Sequence, residues 1–106
     1  MPGKPIKPTE LLFHPTRLGI IAHQMRSGDA SFTEVYKALG IKWRGALEFH
    51  SNMLARAGFI KLAKSGVGNR RKTMFVITDR GRQAFAQHRA GIIAITNIQM
   101  ETEAAA

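Results

Sequence analysis

The chain alternates between stretches in which apolar residues recur at helical spacing and stretches in which they alternate as in strands. The first helical stretch begins near Pro15, because proline fits the first turn of a helix, and ends before the stop signal Ser27-Gly28-Asp29. Its apolar residues are three or four positions apart: Leu18, Ile21, Ala22 and Met25. This spacing predicts a first helix that buries those side chains.

Two further helices are predicted, joined by a short turn. After a short candidate strand at Ala30-Ser31, the sequence Ser31-Phe-Thr-Glu34 has the pattern of a capping box and predicts a second helix that ends at Gly40. A third helix is predicted from about Trp43 to Ala57, with a left-handed glycine directly after it. Two helices separated by a short glycine-containing turn indicate a helix-turn-helix.

A basic, glycine-containing stretch follows between two runs of strand-like alternation. Residues 59–64 and 73–77 are rich in aromatic and β-branched residues and predict paired strands. The tip between them reads Ser-Gly-Val-Gly-Asn-Arg-Arg-Lys, in which Gly66, Gly68 and Asn69 can supply the positive φ angles of a turn. Its consecutive cations suit a polyanion, and the alternative is a solvated charged loop.

A long C-terminal helix is predicted after Thr78, which serves as its cap. It carries more apolar surface than a small domain needs, so residues 83–100 are expected to form a dimerisation helix, the alternative being a helix that folds back onto the first one. The expected dimer contacts are Phe85, Ile92, Ile93 and Ile95. Residues 1–10 are expected to be a flexible basic arm and residues 101–106 a disordered tail.

Charge narrows the class of partner. The 106 residues suffice for one domain, and 16 Lys and Arg against 7 Asp and Glu give a net charge of +9 and a pI near 11. Such a domain most often binds nucleic acid or an anionic membrane surface. No apolar run approaches the roughly 18 residues that span a bilayer, so we expect a soluble cytoplasmic protein associated with the nucleoid and no membrane partner.

The residues offer little catalytic chemistry. There are no cysteines, the four histidines lack metal-ligand spacing, and the acidic residues are scattered. We therefore expect neither an enzyme nor a bound metal or cofactor.

The third helix presents a candidate reading face. A helical wheel places one set of residues toward the core, namely Trp43, Leu47, His50, Ser51 and Leu54, and an opposite set outward, namely Gly45, Glu48, Phe49, Asn52 and Arg56. Asn52 suits an adenine edge and Arg44 a guanine edge. Glu48 suits a cytosine amine or positions a neighbouring arginine. Phe49 suits a thymine methyl group or is a partly covered surface residue.

From Pro15 to about Arg89, the chain resembles the winged-helix domains of MarR-like and ArsR-like transcription regulators of prokaryotes. The pieces that carry the resemblance are His14-Pro-Thr-Arg-Leu-Gly-Ile20, Gly45-Ala-Leu47 with His50, Leu54-Ala-Arg-Ala-Gly-Phe-Ile60, Gly68-Asn-Arg-Arg-Lys-Thr73, Phe75 and Ile77-Thr-Asp-Arg-Gly81. The absence of cysteine and of a His/Asp cluster disfavours the metal-sensing ArsR-like branch.

The resemblance implies an α+β winged helix-turn-helix over residues 11–82, with a three-helix core, a two- or three-stranded wing and an additional C-terminal helix. Its third helix would enter the major groove, and the wing would follow the adjacent backbone or minor groove. The expected DNA contacts on the helix are Lys42, Trp43, Arg44, Gly45, Glu48, Phe49, Asn52 and Arg56, and those on the wing are Lys64, Asn69, Arg70, Arg71 and Lys72.

The expected function is that of a homodimeric, sequence-specific regulator of transcription, of the repressor type, bound to double-stranded DNA. The sequence leaves a small-molecule effector open. The alternative is a winged helix used as a protein interaction module in a nucleoprotein assembly, which an outward Phe49 and Val76 would suit.

Overall fold

The computed structural model describes residues 10–105, with side chains through residue 97, so the expected arm lies outside the described residues except for Glu10. Four helices and a three-stranded sheet make up the fold. The helices are α1 (Pro15–Ser27), α2 (Phe32–Ala38), α3 (Arg44–Arg56) and α4 (Asp79–Ala105), and the strands are β1 (Ala30–Ser31), β2 (Ile60–Ser65) and β3 (Lys72–Ile77). This is the expected winged helix-turn-helix architecture. Every helix in the described range is too short or too polar to cross a bilayer.

Helix α1 begins where the sequence predicts but buries a different face. His14 caps it, its Nδ1 accepting from the Thr16 amide at 3.1 Å. The buried side chains are Arg17, Ile20, Ile21 and Gln24, whereas Met25 is exposed. The prediction that Met25 is buried was wrong. Arg17 and Gln24 point inward instead, and a prediction that considers only apolar residues does not place polar side chains in the buried stripe.

The sheet joins the helix-turn-helix to the wing. All strands are antiparallel in the order β1-β3-β2, and the candidate strand at Ala30–Ser31 is confirmed as β1 by its pairing of Ala30 with Phe75. The β2–β3 hairpin pairs Ile60 with Ile77 at its base and Ser65 with Lys72 at its tip. Because Phe75 is central and fully buried, the base of the wing is continuous with the core.

The hairpin tip depends on glycine. Gly66 has φ +92°, and a Cβ on it would lie against the Arg70 carbonyl oxygen, so no other residue fits without rearrangement. Asn69 was a further candidate for positive φ, but it does not adopt such an angle. Asn69 lies in a 3-10 turn, Gly68–Arg70, and within the described chain every positive φ belongs to glycine.

The core fixes α3 against the sheet. Leu47 and Leu54 of α3 are completely buried, together with Val35 of α2 and Phe59 at the entrance to β2. Ser51 shares this face, as predicted, and its hydroxyl donates to the Glu48 carbonyl oxygen at 3.0 Å, which satisfies the buried polar group.

Helix α4 is longer than expected. The Thr78 hydroxyl accepts from the Gly81 amide at 3.0 Å, which confirms the predicted cap. The helical backbone extends to Ala105 rather than ending near residue 100, since no glycine or proline follows Gly91 and the final residues are mostly good helix formers. Phe85, an expected dimer contact, packs against the core of its own domain.

Candidate nucleic-acid interface

Helix α3 presents one polar face to solvent. Glu48, Phe49, Asn52 and Arg56 are exposed, and the interleaved side chains of Leu47, Ser51 and Leu54 are buried, in agreement with the helical wheel. This division follows from the 3.6-residue period once one side of the helix packs on the sheet. The outward residues are therefore available to a partner along most of the helix.

Trp43 does not belong to the core, and its predicted burial was wrong. Its side chain is 72% exposed, and its extended backbone (φ −129°, ψ 118°) makes it the residue before the helix, where helical periodicity no longer applies. The indole lies beside Gly45, since a Cβ there would be 2.8 Å from a ring carbon. Gly45 thus provides the room that lets Trp43 lie across the start of α3.

A groove of about 440 Å³ separates α3 from the wing. On the helix side it is lined by Arg44, Glu48 and Asn52, and on the wing side by Leu62, Lys64, Arg71, Lys72 and Thr73. Six of the thirteen expected contact residues therefore share one concave surface. The other seven lie outside it, namely Lys42, Trp43, Gly45, Phe49, Arg56, Asn69 and Arg70.

The groove, referred to below as the helix-wing groove, is strongly cationic. Four of its lining residues are cations, and Glu48 is the one acid among them. Lys64 Nζ donates to Thr73 Oγ1 at 2.6 Å across the hairpin, which holds this ammonium group beside the groove. The described residues contain no ion pair to Glu48, so its carboxylate is free to repel phosphate or to accept from a base amine.

A family comparison agrees with this geometry. The family described as winged helix DNA-binding domain matches residues 16–95 of the chain. The chain belongs to this family. The winged-helix resemblance seen in the sequence is thereby confirmed, and the matched range includes α3, the wing and most of α4.

Several solved structures have the same fold. A transcriptional regulator homologue from Pyrococcus horikoshii OT3 is 28% identical, with a TM-score of 0.76 over 83% of this chain and 86% of that chain. The YusO protein from Bacillus subtilis is 19% identical, with a TM-score of 0.72 over 90% of this chain and 69% of that chain. NMB1585, a MarR family regulator from Neisseria meningitidis, is 15% identical, with a TM-score of 0.60 over 82% of this chain and 60% of that chain. Both agree with this chain in fold. Among proteins of curated function, none matches the chain.

A buried arginine that sequence reasoning missed holds α3 to α1 in this winged helix. Arg17 Nε donates to the Leu11 carbonyl oxygen at 2.6 Å, and Nη1 donates to His50 Nδ1 at 3.0 Å. The rings of His50 and His14 are 4.0 Å apart. No spacing in the sequence distinguishes Arg17 from a surface arginine, because its partners come from a loop and another helix. No group of three histidine or acidic side chains in the described chain could hold a metal ion.

The imidazole of His50 favours its uncharged form. Burial lowers the pKa of His50, and the neighbouring His14 and Arg17 lower it further. The hydrogen bond to this ring agrees, since Nδ1 of His50 accepts from Arg17 and must lack a proton. Protonation of His50 at Nδ1 would break this bond and place another cation beside Arg17.

Stability is therefore expected to fall on acidification. Because the folded pKa of His50 lies below its unfolded value of about 6.5, its contribution is complete above that pH and is lost as the pH falls toward the folded pKa. The melting temperature should drop by on the order of a few degrees between pH 7.5 and 5. His50→Gln, which keeps an acceptor for Arg17, should reduce that drop. Equal pH dependence in this variant and the wild type would exclude His50 as its cause.

Proposed function

We propose that the chain is a homodimeric regulator of transcription, of the repressor type, that binds double-stranded DNA in a sequence-specific manner. Helix α3 enters the major groove, and the wing follows the adjacent backbone or minor groove. The observation that carries the proposal is the helix-wing groove, in which Glu48 and Asn52 face the wing cations across a single concavity. Base-reading groups and phosphate-neutralising groups are thus adjacent, as duplex recognition requires.

A gel-shift titration tests DNA binding directly. Sheared genomic duplex is titrated with the full chain at 50 and 200 mM salt. The chain should bind and shift the duplex at both salt concentrations, but with far lower affinity at 200 mM, because cations that contact phosphate release counterions from the DNA. Failure to retain duplex at 50 mM salt would refute the proposal.

Asn52 is proposed to read one base pair. An exposed amide on the outward face of α3 can make paired hydrogen bonds to adenine, so Asn52→Ala should lower discrimination at one position by about 1–3 kcal/mol. Arg56→Ala is the contrasting variant. It should weaken binding to all sequences alike and flatten the plot of log K against log salt by about one unit. Equal losses on specific and random duplex for Asn52→Ala would rule out a base contact.

Helix α4 supports the homodimer. A stripe at positions 81, 84, 88, 92 and 95 has helical spacing. Its first half is covered by the domain, since Gly81 is buried and Ala84 packs on the core. Its second half extends beyond the part of α4 that the domain covers, and there Ile92 and Ile95 are 42% and 62% exposed. A second copy of α4 is the simplest cover for this continuation.

An apolar cleft adjoins the exposed half of the α4 stripe. It measures about 350 Å³ and lies between α4 and the segment that precedes α1, with Leu12, Phe13 and Phe59 on one wall and Ile92 and Ile95 on the other. Phe13 is itself 71% exposed. Side chains from the α4 of a second copy would enter this cleft, which enlarges the apolar area that dimerisation removes from water. Ile93, also expected at the interface, lies on the other side of the helix from this stripe, on the face that carries Ala86 and Ala90.

A protein interaction module is the second candidate. It is favoured by Trp43 and Phe49, which are 72% and 60% exposed near the groove, since large aromatic residues are enriched at protein interfaces. Val76 does not support it, because its side chain is half-buried. Retention of a partner protein without retention of duplex at 50 mM salt would favour this candidate.

A further inference from the structure

The side chain of Arg44 is stacked on two aromatic rings of the preceding helix. Its guanidinium carbon lies 4.5 Å from the ring centroid of Phe32 and 5.4 Å from that of Tyr36. Both distances are within the range of cation–π attraction. The two rings are nearly parallel, with 13° between their planes. Phe32 and Tyr36 are called the aromatic shelf below.

The aromatic shelf is fixed to the core of the domain. Phe32 is only 9% exposed, and its ring meets that of Phe75 edge to face, with centroids 5.9 Å apart and 78° between the planes. Phe75 is fully buried in the central strand β3. Tyr36 lies one helical turn after Phe32 on α2, which keeps the two rings on the same face. The shelf therefore has little freedom to move relative to the sheet.

We propose that the aromatic shelf is a positioning element that holds the Arg44 guanidinium ready to bind DNA at the helix-wing groove. The proposal deepens the proposed function and rests on it. A free arginine side chain must lose rotamer freedom when it binds, and a stacked one has lost part of it already. Stacking covers a face of the planar group and leaves its N–H donors, which lie in the plane, for two parallel hydrogen bonds.

The expected ligand of the Arg44 guanidinium is a pair of hydrogen-bond acceptors, oxygen or nitrogen, spaced so that two N–H groups can bind them at once. In duplex DNA this pair is either two oxygens of one phosphate or the O6 and N7 atoms of guanine. Arg44→Ala distinguishes the two sources. A phosphate contact predicts a uniform loss on all sequences with a salt slope smaller by about 0.9, and a guanine contact predicts relaxed preference at one G·C pair. Unchanged binding by this variant would overturn the proposal.

Substitution of Tyr36 tests the role of the shelf on DNA. Tyr36→Leu removes a ring and should weaken duplex binding roughly 2- to 10-fold in wild-type protein. In the Arg44→Ala background the same change should have almost no effect, because the shelf acts only through Arg44. Equal losses in both backgrounds would overturn the proposal. Tyr36→Phe should bind like wild type, and a loss as large as that of Tyr36→Leu would assign the effect to the hydroxyl group instead.

A measurement on the free protein separates this proposal from DNA binding itself. In a ¹H–¹⁵N spectrum of arginine side chains, ring currents from the shelf should displace the Arg44 Nε–H signal, identified by its loss in Arg44→Ala, from the position of the other exposed arginines. Tyr36→Leu should move it toward that position, and Tyr36→Phe should not. An undisplaced Arg44 signal in the wild type would overturn the proposal that the shelf positions Arg44. A displaced signal in a protein that binds no duplex would instead refute the proposed function alone.

Discussion

Changing Ile92 and Ile95 together to lysine is expected to convert the protein to a monomer. Both side chains lie on the exposed continuation of the α4 stripe, and two ammonium groups there could not be buried against a second copy. Loss of the dimer also removes the avidity of two linked half-sites, so affinity for a two-half-site duplex should fall by at least about 100-fold. Sedimentation equilibrium gives the mass, and a fluorescence titration gives the affinity.

The matched control adds the same charge to the opposite side of the helix. Ala86 and Ala90 are exposed and lie away from the stripe, so Ala86→Lys with Ala90→Lys should leave the protein dimeric. Its affinity for DNA should not fall, because the added cations do not oppose binding to a polyanion. A dimer that survives both isoleucine substitutions would show that α4 does not form the interface.

Removing two cations from the wing is expected to weaken binding to every duplex. Arg71 lines the helix-wing groove, and Arg70 lies in the exposed 3-10 turn at the tip. If each neutralises one phosphate, Arg70→Ala with Arg71→Ala should flatten the slope of log K against log salt by about two units, and near 0.15 M salt the affinity should fall on the order of 30-fold. Titrations at four or more salt concentrations measure both quantities.

A control variant that loses two cations elsewhere on the surface distinguishes direct phosphate contacts of the wing from the general attraction of a basic protein to DNA. Arg26 and Arg89 are exposed on α1 and α4, outside the helix-wing groove. Arg26→Ala with Arg89→Ala should change the slope much less than the wing substitutions, because distant surface charges are screened within about 10 Å at such salt concentrations. Equal slopes in the two double variants would assign the salt dependence to net charge rather than to the wing.

Local pattern was enough to predict the elements of this fold. The capping serine before α2, the threonine before α4 and the glycine at the tip each act on backbone groups within a few residues, so their effect is visible in the sequence. The outward face of α3 was predictable for the same reason, since helical periodicity needs only a single buried side.

Contacts between distant segments could not be predicted. Arg17 is buried because the loop before α1 and helix α3 supply its hydrogen-bond partners, and the bond to His50 spans 33 positions in sequence. Arg44 was assigned to a base edge from its place at the start of α3. Its stacking on Phe32 depends on how α2 crosses α3, which periodicity does not determine. Trp43 was misplaced because the helical wheel was extended one residue beyond the helix.

Selection of bound fragments from sheared genomic DNA, followed by sequencing, tests the central claim most directly. A homodimer that reads DNA with two copies of α3 should enrich an inverted repeat with half-site centres about 10 base pairs, or a multiple of that spacing, apart. Enrichment should survive at 200 mM salt, where binding through phosphates alone is weak. Recovery of fragments without any common sequence at that salt concentration would contradict sequence-specific recognition by the winged helix.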